Sequence, residues 1–273
     1  MKIRSLFGAC VVLAFLCGAA MGQGRGGGNQ QKAPSGPAPK TTSGKPDFSG
    51  LWQRPYVPDM SATSRNGDQV GPKELPFTPW GAAEFKKYDA TNGDYTGACL
   101  PFGLVRSMNS PDPIQIMQSD TYFALLYEQN TMFKVVPIDG RKHRDQVPTW
   151  FGDSVGHWEG DTLVVESNGY NDKTWLDADG HAHTEDLRIV ERYTRRDFGH
   201  LDAQIVLTDP KTFRAPVSIN MALTYHPDTE ALEFVCENER DGAHMLTSAQ
   251  KQIELPVEDL RKFVGTYDVV DLG

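Results

Sequence analysis

Cysteine is scarce in this 273-residue chain, with four in all. Two of them, Cys10 and Cys17, fall in an apolar N-terminal run, which leaves Cys99 and Cys236. That excludes a cysteine-rich mini-scaffold, and neither remaining cysteine has a second Cys or His at the close spacing of a zinc site. Beyond the N-terminus no apolar run is long enough to cross a bilayer as a helix, which argues against membrane insertion. Clustered Lys and Arg are missing as well. The first 46 residues hold six basic residues and no acid, so the remaining 227 carry 21 basic against 36 acidic side chains, a net of −15. A nucleic acid or an anionic membrane rewards the opposite charge, so neither is the expected partner.

What is present begins with an export signature. Lys2 and Arg4 precede the apolar run Leu6 to Ala20, which has the length of a signal-peptide core, and Ala20-Met21-Gly22 offers small residues where a signal peptidase reads. Residues 1–22 are therefore read as a signal peptide, and the protein as periplasmic or secreted. Leu16 before Cys17 does not fit a lipoprotein signal. Residues 23–46, rich in Gly, Pro and Ser, contain no large apolar side chain and predict a mobile linker. The body is expected to span 47–273 as one β-rich domain, with Cys99 and Cys236 paired, as two cysteines of an exported domain usually are. Such a bridge stabilises by about 4–5 kcal/mol in the loop-entropy model.

The body opens with a short strand at Phe48–Trp52. Residues 53–113 read as long loops, with one helix capped by Thr78 and started by Pro79. Strand-like runs follow at Ile114–Met117, Tyr122–Tyr127, Met132–Ile138, Val155–Trp158, Thr162–Ser167, Leu187–Arg195, Leu201–Thr208, Val217–Tyr225 and Leu232–Glu237. Asp139-Gly140 and Glu159-Gly160-Asp161 read as hairpin turns. Leu201, Ala203, Ile205 and Leu207 share one face, and Val217, Ile219, Met221 and Leu223 repeat the pattern. One buried face, one wet face and no βαβ rhythm predict a mainly antiparallel all-β fold. A meander this long must close or stack, so a single β-barrel is expected, with a β-sandwich as the alternative. A helix at Val257–Lys262 and a strand at Val264–Val270 end the chain. Residues 260–273 complete the barrel or begin a further module.

The Gly-x-Trp of Gly50-Leu51-Trp52 before a meander resembles the opening of lipocalin-type barrels. The run His157-Trp158-Glu159-Gly160-Asp161-Thr162-Leu163-Val164-Val165-Glu166 is more specific. Together with Asn171-Asp172-Lys173-Thr174-Trp175-Leu176-Asp177 and Arg196-Asp197-Phe198-Gly199-His200, it is similar to a family of exported proteins of environmental bacteria. That resemblance covers about residues 47–245 and implies export.

Chemistry-bearing residues concentrate between 150 and 200. Gly152-Asp153-Ser154-Val155-Gly156 has the spacing of a serine-hydrolase elbow, but lacks the strand before and helix after that expose such a serine, so it reads as a Gly-rich turn. His181 and His183, two apart in an extended segment, project to one face and form the candidate metal pair. Asp177-Ala178-Asp179-Gly180 hints at a calcium loop, but Trp175 stands where the first ligand belongs. Glu166 and Glu191 lie in apolar strands. Facing inward they have raised pKa values and suit acid–base work, whereas facing outward they pair with Arg188, Arg192 or Arg195; the outward reading is preferred. Trp150, Trp158 and Trp175 are the expected wall of a ligand pocket.

Three readings follow. The first is a barrel binding a small apolar or aromatic molecule in its cavity. The second is an enzyme, a hydrolase or an acid–base lyase or isomerase, with His157, Glu166, Asp172 and His200 as catalytic groups and either no cofactor or one divalent metal. The third is an envelope interaction domain without chemistry. Oligomeric state has no signal in the sequence.

Overall fold

The computed structural model describes residues 33–129, 132–234, 236 and 261. The segment read as a signal peptide, residues 23–32 of the expected linker, the expected C-terminal strand and, but for Arg261, the expected C-terminal helix lie outside the described residues.

The period-2 alternation is realised in ten strands. They are β1 (Gly50–Gln53), β2 (Gln69–Val70), β3 (Ile114–Gln118), β4 (Tyr122–Tyr127), β5 (Met132–Pro137), β6 (Asp153–Glu159), β7 (Thr162–Asn168), β8 (Arg188–Arg195), β9 (His200–Thr208) and β10 (Val217–Tyr225). Every pairing between these strands is antiparallel. The order is β5-β4-β3-β1-β10-β9-β8-β7-β6, with β2 added on β10. The two ends of this path, β5 and β6, come together without laddering, which makes a nearly closed barrel rather than a sandwich. Phe48, Trp52, Ile114, Phe123, Leu163, Ile205 and Leu223 are among the buried side chains that fill it.

Gly156 sits at the closing seam. A Cβ there would lie 2.7 Å from Ile138 and 3.1 Å from Val136. Gly152 has φ +67°, and its Cβ would lie 2.4 Å from the Asn168 carbonyl oxygen. The two glycines of the hydrolase-like pattern thus serve a turn and a seam, and Ser154 between them is buried against Ser167, Oγ to Oγ 2.7 Å. Gly50, at φ +131°, has a comparable reason: a Cβ would strike the Tyr225 ring at 2.4 Å. Two residues on, Trp52 is fully buried, donates to the Phe48 carbonyl at 2.9 Å and carries the Arg195 guanidinium 4.8 Å over its ring.

α1 (Pro79–Phe85) starts as expected, with Thr78 accepting from the Gly81 N–H. α2 (Leu104–Met108), which the loop-like composition did not suggest, is buried along its whole length under the barrel strands. Three other expectations fail. Asp139-Gly140 opens a long connection, 138–152, instead of a hairpin, because β5 and β6 do not pair. Residues 232–234 form no strand. Residues 33–46 lie along the barrel instead of hanging free, because their backbone carbonyls accept hydrogen bonds from it. The Phe198 N–H reaches Gly36 at 2.9 Å, and the Gln118 amide reaches Pro46 at 2.9 Å. In return, the Lys45 ammonium donates to the Gly160 carbonyl at 3.0 Å. Cys99 and Cys236 sit at disulfide distance, with Cα atoms 5.6 Å apart.

Candidate functional site

Two polar constellations stand out, one inside the barrel and one on its seam. The inner one starts from β5, where alternation puts Phe133 and Val135 outside and Lys134 inside. Lys134 forms a fully buried ion pair with Glu191 of β8 and donates to Ser167 of β7 at 3.2 Å. The Tyr193 hydroxyl donates to the other Glu191 oxygen at 2.6 Å. Glu191 therefore faces inward and pairs with a lysine, not outward with an arginine, because β8 turns Ile189, Glu191, Tyr193 and Arg195 to the core. Tyr127 and Tyr193 both direct their hydroxyls at the Met108 sulfur, at 3.5 and 3.9 Å. Burial, then the Glu191 charge, holds the Tyr127, Tyr170 and Tyr193 phenols well above their ordinary range. Burial lowers the Lys134 ammonium, and Glu191 opposes that shift. This arrangement holds protons in place; with every oxygen of Glu191 occupied, it orders the core.

The second constellation is a groove of about 450 Å³ on the outside of the seam, lined by Gly140, Arg141, Lys142, His143, Val155, Gly156, His157 and Glu166. β6 and β7 build one wall. Val155 pairs with Glu166 and His157 with Val164, so His157 and Glu166 are diagonal neighbours on the outer face, and both are exposed. The 138–152 connection builds the other wall. His143 Nδ1 lies 3.0 Å from Asp153 Oδ2, which leaves Nε2 as the nitrogen for a ligand. Burial favours the neutral Asp153 carboxyl. The Arg144 N–H at 3.0 Å and guanidinium at 2.7 Å, with His143, outweigh burial and hold that carboxyl below its ordinary range.

The other sequence candidates lie apart. Asp172 lines a separate groove of about 440 Å³ with Trp80, Glu84, His183, Glu185, Asp186 and Lys211. His200 pairs with Asp197 at 2.8 Å. Trp150 is half-buried, Trp158 stacks on Phe48 at 5.5 Å, and Trp175 meets Tyr88 and Tyr95 edge-on at 5.0 and 5.1 Å, so the three form no common wall.

His181 and His183 do not share a ligand position. His183 Nε2 lies 2.7 Å from the Thr174 hydroxyl, and Nδ1 lies 3.0 Å from the Thr184 carbonyl. A carbonyl only accepts, so Nδ1 carries the proton and Nε2 accepts from Thr174. Burial lowers the His183 pKa, more than its carbonyl bond, Asp209 and Asp172 raise it. His181 stacks on Phe85 at 4.4 Å, with Nδ1 2.6 Å from Asp177. Asp59, Asp177 and His181 bring ligand atoms within 4.8 Å of one another. Asp177, however, already accepts from the Met60, Asp179 and His181 N–H groups, as a carboxylate that clamps a loop.

Sequence reasoning found His157 and Glu166 but missed His143, Asp153, Lys134 and Arg54. His143 and Asp153 are ten residues apart on a loop and a strand, with no motif. The chain matches no protein-family model and no curated protein.

Proposed function

We propose that this is an exported barrel protein that binds a small molecule in the seam groove between the 138–152 connection and strands β6 and β7. The observation that carries this reading is that groove, about 450 Å³, where His143, backed by Asp153, faces His157 and Glu166. Its size is that of a small-molecule site, and its make-up, an apolar floor of Val155 and Gly156 under a few convergent polar groups, is the usual one. Such a floor and rim suit a ligand with an apolar body and hydrogen-bonding edges. The packed interior favours the groove over the barrel lumen for such a molecule. Pairing of Cys99 with Cys236 at disulfide distance supports the exported part of the reading.

A second reading, acid–base chemistry on the bound molecule, is favoured by the His143–Asp153 pair: a carboxylate on Nδ1 orients an imidazole and leaves Nε2 for the bound molecule. NMR with a fragment library, read on the ligand and on the histidine ring signals, tests the binding; turnover of a bound hit that is lost in His143→Gln tests the chemistry. Hits are expected to perturb the His143 and His157 ring signals and to lose binding in Val155→Trp, which fills the groove from the exposed face. Hits indifferent to that substitution would overturn the proposal.

A further inference from the structure

Arg54 is 3% exposed and follows β1 into the barrel end beside α2. Its Nε donates to the Asp112 carbonyl at 2.8 Å, and its Nη2 donates to the same carbonyl and to Ser110 Oγ at 3.0 Å. All these acceptors are neutral. Among the described residues no carboxylate forms an ion pair with Arg54, and Nη1 is buried with no hydrogen-bond partner. The charged groups that sense it, Asp112 and Glu128, stay outside ion-pair reach, and the guanidinium lies 5.7 Å over the Tyr127 ring. Burial is strong enough to push its pKa down to about 10.

Among the described residues the same interior holds the ion pair of Lys134 with Glu191, which neutralises itself. Nη1 only donates, so the missing partner of Arg54 is an acceptor, and with no carboxylate in ion-pair reach a small anion is the acceptor that offsets its charge, since an unpaired buried charge is among the most costly features of a core.

We propose that the barrel interior encloses a site for a small monovalent anion, a halide or a formate-sized carboxylate, held against Nη1 of Arg54. The site is independent of the seam groove. It neutralises Arg54 and ties the barrel end to α2, so the anion is a structural ligand of the folded state.

The test compares melting of the full chain in sodium bromide, formate and gluconate at equal ionic strength. Gluconate is too large to enter. A ligand that binds only the folded state stabilises it by mass action, so the melting temperature is expected to rise saturably with bromide or formate, by about 5 °C at a hundredfold excess over Kd. Bromide alone, formate alone or both giving that rise identifies the source. The rise is expected to vanish in Arg54→Met. Should that variant fail to fold, crystals of the unaltered protein grown in bromide decide the matter: an anomalous peak beside Nη1 supports the proposal. Equal melting in bromide, formate and gluconate, or a crystal grown in the stabilising anion with neither an anomalous bromide peak nor formate density at Nη1, would overturn it.

Discussion

Removing Lys134 alone is the sharpest test of how the barrel interior is organised. Lys134→Met keeps the length of the side chain and deletes the charge, leaving Glu191 fully buried with the Tyr193 hydroxyl, 2.6 Å away, as its remaining donor. Breaking one side of a buried pair costs about 3–5 kcal/mol, because the surviving charge loses its partner and regains no water. At about 2–4 °C per kcal/mol for a domain of this size, the melting temperature drops by about 10 °C. The double variant Lys134→Met/Glu191→Leu has no charge to strand and is expected to recover to within about 1 kcal/mol of the starting protein. Glu191→Gln supplies the converse. Burial already places the Lys134 pKa below its ordinary 10.5 with Glu191 opposing, so losing Glu191 lowers it further. Between that value and 10.5 the unfolded chain holds a proton that the folded chain does not, so stability of Glu191→Gln rises with pH through this window. Urea unfolding of these four proteins and of Glu191→Leu, with the disulfide intact, closes the cycle. A Lys134→Met cost under about 1 kcal/mol, or a double variant no better than the singles, would refute the argument.

Three further outcomes are expected. His183 is buried with a lowered pKa, so as pH falls below 6.5 the unfolded chain takes up a proton first; stability declines from there down to the folded pKa, and His183→Gln flattens that part of a urea-midpoint-versus-pH curve. Arg195→Ala removes hydrogen bonds to the Asp47, Asp197 and Phe198 carbonyls and uncovers Trp52, a loss of about 2–4 kcal/mol that a red-shifted tryptophan emission would accompany. Gly156→Val drives a Cβ to 2.7 Å from Ile138 and opens the seam, so amide exchange in β5 and β6 is expected to rise well before that in β9 and β10. Uniform exchange in all four strands would remove Gly156 from that role.

The sheet was legible because burial on one face leaves a period of two. Leu201, Ala203, Ile205 and Leu207 face the core as the alternation requires, and so do Val217, Ile219, Met221 and Leu223. The same rule applied to β5 puts Lys134 on the face of Val136, with the core. Glu191 was misjudged because three arginines in its strand offered nearer partners than a lysine far along the chain.

Local pattern, then, determined the strands, the Thr78 cap and the cysteine pair, since each depends on residues close in sequence or on a count. Tertiary structure alone decided closure. β5 and β6 meet only because Gly156 lets Val136 and Ile138 approach, and that meeting turns the Asp139-Gly140 bend into one wall of a groove. It also decided which charges are enclosed. Alternation assigns a side chain to a face, but whether that face meets water, an opposite charge or an unpaired guanidinium depends on strands brought together from distant parts of the chain. That is why His143 found Asp153, Lys134 found Glu191, and Arg54 found no carboxylate.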